Sequence, residues 1–116
     1  MGAERRRFPR IPQLFEVHYR VGEVGAGWDA ATTVNLSAAG LRLRSEHPID
    51  PDSRIELRIQ LPNAAEPLQL MGLVVWSQPL SPLVTEVGVE FIDVTLEQQT
   101  QIDHLVQFLS KRVQDA

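Results

Sequence analysis

Cysteine is absent from the 116 residues, which removes disulfide staples and thiolate metal sites together. Lysine is nearly absent: ten of the eleven basic residues are arginine, and Lys111 is the exception. No apolar run approaches the roughly 20 residues that span a bilayer, and the N-terminal arginines are followed by no apolar segment. Membrane insertion is therefore not expected, and the expected location is the cytoplasm. Catalytic signatures are missing too. His18, His47 and His104 fall on a strand, a turn and a helix without metal-ligand spacing. Ser37 stands outside a G-x-S-x-G elbow, no glycine loop cradles phosphate, and Asp50 and Asp52 flank Pro51 as turn residues. Neither an enzyme nor a metal or cofactor is expected.

What is present is an uneven distribution of charge. The formal net charge is -4, yet "RRRFPR" at residues 5–10 sets four arginines in six positions. A guanidinium suits bidentate contact with phosphate and stacking on flat rings. Pro9 and Pro12 stiffen this arm without making it helical.

Alternation governs residues 13–92. "QLFEVHYRV" (13–21) sets Phe15, Val17, Tyr19 and Val21 against Glu16, His18 and Arg20, the pattern of a half-buried strand. "WDAATTV" (28–34) reads as a second strand. "LRLRS" (41–45) reads as a third, with Leu41 and Leu43 on one side and Arg42 and Arg44 on the other. "RIELRIQL" (54–61) alternates most clearly, "LQLMGLVVW" (68–76) is the fifth strand, "SQPLSP" turns the chain, and "LVTEVGVEFI" (83–92) is the sixth. Trp28 and Trp76 fall within strand patterns and read as core or rim residues. Six short strands punctuated by turns favour a small antiparallel barrel, with a two-sheet sandwich as the alternative. The period then changes. Thr95 and Gln98 have the spacing of a capping box, and Ile102, Leu105, Val106, Leu109 and Val113 gather on one helical face. Phe108 lies at the margin of that face. The chain therefore reads as one all-β domain with a C-terminal helix: a flexible arm over 1–12, a barrel over 13–93, and a helix over 94–116 packing on it.

Two short motifs add a function. Arg6 and Arg10 form R-x-x-x-R, with Arg7 between them, and about 25 residues later "NLSAAG" supplies Asn35, Ser37 and Gly40 as N-x-S-x-x-G between two strands. The pair, in this order and with "MGLVVW" and "GVEF" as later strands, resembles the PilZ domain family. That resemblance implies a six-stranded barrel and a receptor for the bacterial second messenger cyclic di-GMP. It implies a binding site made of Arg6, Arg7, Arg10, Asn35, Ser37 and Gly40, without assigning each arginine its contact; Arg5, Arg42 and Arg44 are secondary candidates. Cyclic di-GMP carries two phosphodiester charges and two guanines, and arginine can pair with phosphate, grip guanine O6 and N7, or stack on the base. Asn35 and Ser37 can read guanine or hold the turn, and Gly40 permits either close approach or positive φ. Asparagine at position 35 replaces the family's commoner aspartate.

The expected output is a signal passed to an unidentified effector protein as the arm orders over the ligand. A PilZ-fold adaptor that binds protein without nucleotide is the alternative. Nucleic acid is not an expected partner, because the second half of the chain is acidic and offers no basic stripe.

Overall fold

The computed structural model describes residues 15–22, 27–60 and 65–115, with side chains as far as Lys111. The arm over 1–12, and with it Arg5, Arg6, Arg7 and Arg10, lies outside the described residues. Six strands form: β1 (Phe15–Val21), β2 (Asp29–Leu36), β3 (Gly40–Ser45), β4 (Arg54–Ile59), β5 (Leu68–Ser81) and β6 (Val84–Ile92). They close into an antiparallel barrel in the order β1-β2-β3-β6-β5-β4, with β1 pairing β4 to complete the ring. The barrel, rather than the sandwich, is what the sequence specifies.

Alternation decides what fills it. Val17, Leu43, Ile55, Leu57, Val74 and Val87 are fully buried inside, and their charged neighbours point out. Each such side chain contributes roughly 1.5–3 kcal/mol through burial. One polar pair joins the interior: Tyr19 Oη and Ser45 Oγ lie 2.6 Å apart in a hydrogen bond. Burial pushes the Tyr19 hydroxyl above its ordinary pKa, against a smaller lowering by the Ser45 bond.

Helix α1 (Leu96–Asp115) begins at the expected cap. The Gln98 backbone N–H donates to Thr95 Oγ1 at 3.0 Å, and the Thr95 N–H donates to Gln98 Oε1 at 2.9 Å. Ile102, Leu105 and Leu109 join the barrel core, Val106 packs at its edge, and Phe108 stays partly exposed. No described helix is long and apolar enough to cross a membrane.

One boundary differs from the sequence reading. The expected turn at "SQPLSP" is strand: β5 runs through Pro79 to Ser81, and the hairpin reverses only at Pro82 and Leu83. Proline is tolerated there because β4 pairs with β5 no further than Leu73, so beyond that point β5 has β6 as a neighbour on one side only.

Candidate functional site

The turn "NLSAAG" joins β2 to β3 and is tied by its own residues. The Ser37 N–H donates to the Gly40 carbonyl at 2.8 Å, and Ser37 Oγ accepts from the Ala39 N–H at 3.2 Å. Ser37 is 3% exposed. Of its two sequence-level roles, holding the turn is the one this geometry uses. Gly40 is required by close approach, not by φ: a Cβ there would run into the backbone carbonyl of Val89 on β6.

Two β-bulges build the surface beside this turn. In β2 the register shifts between Thr33, opposite Leu43, and Asn35, opposite Arg42. In β5 it shifts between Val74, opposite Val89, and Trp76, opposite Gly88. Strict alternation would set Asn35 with the interior Thr33, and Trp76 with the interior Val74. Each extra residue reverses the side that follows it. The outcome is a row across four strands, Asn35, Arg42, Gly88 and Trp76, on the outer surface. Strand spacing sets Arg42 and Trp76 roughly 10 Å apart. Gly88 lets the indole of Trp76 lie over the middle strand, because a Cβ at that position would collide with the ring.

This row forms the floor of an open cleft of about 530 Å³, within the range of small-molecule sites. Ala38, Ala39 and Gly40 of the turn border one side, and Val94, just before α1, and Gln99, in its first turn, border another. Trp76 is 37% exposed and offers a ring face. Among the described residues, the charged side chains lining the cleft are Arg42 and the exposed Glu90. Asn35 is nearly buried yet borders the cleft.

The two secondary candidates separate. Arg42 lines this cleft, whereas Arg44 lines a different depression together with Glu16 and Glu46, whose carboxylates disfavour an anion there. Both arginines meet Glu86 on β6: Arg44 Nε donates to its Oε2 at 3.1 Å, and Arg42 Nη1 lies 3.4 Å from its Oε1. Trp28, by contrast, has the guanidinium carbons of both Arg20 and Arg58 over its ring, at 4.5 and 4.1 Å from the centroid. Trp76 and Gly88 are the site residues that sequence reasoning missed. Only the pairing register reveals them. Among the described residues no cluster of histidine and acidic side chains could hold a metal ion.

Comparison with solved structures places this architecture in known company. The PilZ domain of YcgR from Escherichia coli, solved with c-di-GMP, superposes at a TM-score of 0.74 with 11% identity, covering 96% of this chain and 95% of that one. The Bacillus subtilis inhibitor of motility (MotI/DgrA) gives 0.72 at 17% identity over 96% of this chain, which spans about half (52%) of that protein. The PilZ domain of CeSA from a cellulose-synthesizing bacterium gives 0.65 at 18% identity, covering 87% and 97% of the two chains. None of the curated proteins matches the sequence. The PilZ domain model itself matches residues 4–108, from the arginine arm through the barrel and into α1, and by that match this chain belongs to the PilZ domain family.

Proposed function

We propose that this chain is a receptor for cyclic di-GMP that takes the ligand into the cleft beside the "NLSAAG" turn. The observation that carries the reading is the outer row of Asn35, Arg42, Gly88 and Trp76 next to that turn. It joins a polar amide, a guanidinium and a partly exposed indole that lies over a glycine. A guanine stacked on Trp76 gains roughly 1–3 kcal/mol. Arg6, Arg7 and Arg10 supply the remaining cationic contacts from the N-terminal side. Charge-assisted hydrogen bonds contribute roughly 1.5–3 kcal/mol each, so three of them with one stack give about 5.5–12 kcal/mol, a range that brackets the roughly 8 kcal/mol of a micromolar complex. Ordering a segment on binding costs on the order of 2–5 kcal/mol and leaves that sum favourable.

The YcgR domain that resembles this chain in fold was solved with c-di-GMP, which supports the same ligand class here. Closure of the arm on the ligand then alters the surface around the N-terminus, and an effector protein reads that change. Calorimetric titration with cyclic di-GMP tests the reading, with GTP and cyclic di-AMP as controls. Micromolar or tighter binding selective for cyclic di-GMP, lost in the Arg6→Ala/Arg10→Ala protein, is expected. A folded wild type that binds none of the three nucleotides is instead a PilZ-fold adaptor.

A further inference from the structure

We infer that Arg42 is a ligand-facing anion contact held back by Glu86, and that Arg44 is the positioning residue that lets Glu86 release it. The inference rests on the receptor reading and adds residues outside the two motifs.

Glu86 is only 9% exposed, so its carboxylate needs a partner at all times. It has two, and they differ. Arg44 makes a hydrogen bond through Nε at 3.1 Å, while Arg42 approaches the other oxygen at 3.4 Å as an ion pair. Arg42 is also incompletely satisfied. Its Nε is buried and finds no acceptor among the described residues, while its side chain remains 41% exposed and lines the cleft. A phosphodiester in the cleft offers oxygens to both Nε and Nη in the bidentate geometry a guanidinium favours. When Arg42 turns to such an anion, Glu86 keeps its bond to Arg44, and no buried carboxylate is stranded. One carboxylate shared by two arginines thus makes the transfer of Arg42 inexpensive, while its attraction still opposes that transfer.

The account predicts a specific pattern of coupling, read as the affinity for cyclic di-GMP. Arg42→Ala weakens binding about tenfold, the lower end expected for a charge-assisted bond. Glu86→Gln strengthens it about fivefold, the upper end for a partly exposed ion pair. In the Arg42→Ala background the same Glu86→Gln change has less than about a twofold effect, because the two residues act through one contact. Arg44→Ala weakens binding about two- to threefold although Arg44 does not line the cleft, since Glu86 then holds Arg42 alone; adding Glu86→Gln restores the affinity. Circular dichroism and melting temperature establish that each protein is folded. Should Glu86→Gln not fold, Glu86→Met in the same backgrounds replaces it.

A gain from Glu86→Gln that persists without Arg42 assigns the effect to the general field of the protein and overturns the inference. So does an Arg42→Ala protein that binds as the wild type does. A wild type that binds with none of this coupling sinks the inference alone, whereas a folded wild type that does not bind sinks the receptor reading and the inference with it.

Discussion

Two faces of the barrel each carry arginine and tryptophan, and one of them opens into a cleft. On the β1–β4 side Arg20 and Arg58 both pack over the ring of Trp28, and Arg20 closes a two-bond fork on Glu56 at 3.0 and 3.1 Å. Arg58 Nε finds no acceptor among the described residues, but its guanidinium packs over the indole. On the β3–β6–β5 side the Trp76 indole lies over Gly88, the residue that separates it from Arg42 across the sheet, and the row borders the open cleft. The same residue types therefore make a filled surface in one place and an open one in the other. Backbone devices decide which: a glycine in the middle strand, and a bulge in each of β2 and β5 that turns Asn35 and Trp76 outward.

The difference between the faces can be broken or sharpened by substitution. The largest effect is expected at Gly40, where alanine drives a methyl group into the Val89 carbonyl. Chemical denaturation of Gly40→Ala should show a loss of about 3 kcal/mol, near the upper end of overpacking costs, with ligand affinity reduced because the turn moves. Next, Trp76→Ala should weaken cyclic di-GMP binding about tenfold, as expected for one lost stack, and change stability little. Trp28→Ala should do the reverse. It leaves affinity within about twofold and costs about 1–2 kcal/mol of stability, through two cation–π contacts and their packing. Equal effects of the two tryptophans on binding would erase the distinction between the faces.

The smallest effect lies inside the barrel, beneath both faces. The raised pKa of Tyr19 means that folding favours its neutral form. Its contribution is complete below pH 10, the unfolded value, and declines as pH rises through the higher folded value. Wild-type stability should therefore fall above about pH 10, and Tyr19→Phe should flatten that decline. At neutral pH the same substitution costs about 1 kcal/mol for the lost bond, since Ser45 Oγ keeps the His47 N–H as a donor at 3.0 Å.

Much of this was legible in the sequence because side-chain alternation is a local property. Ile55, Leu57 and Ile59 announce an interior face, and Thr95 with Gln98 announces a helix start, each within a few residues. The turn motif was legible for the same reason. Asn35 and Trp76 were only half legible, because the side each takes depends on a bulge, and a bulge is defined by the partner strand rather than by the strand itself. Arg42 and Arg44 look equivalent in "LRLRS", two residues apart on one face. They are separated by what lies across from them, Gly88 for one and Glu86 for the other. The extension of β5 past Pro79 was hidden because proline signals a turn unless a free edge accommodates it.

The contrast between the two tryptophans also gives the most direct test of the central claim. Cyclic di-GMP is titrated into two single-tryptophan proteins, Trp28→Phe and Trp76→Phe, at concentrations that saturate each, and indole fluorescence is followed. The account predicts saturable quenching in Trp28→Phe, where Trp76 is the reporter, and an unchanged signal in Trp76→Phe. A response from Trp28 with none from Trp76, or a silent Trp76 in a protein that calorimetry shows to bind, would contradict a ligand seated in the cleft beside the "NLSAAG" turn.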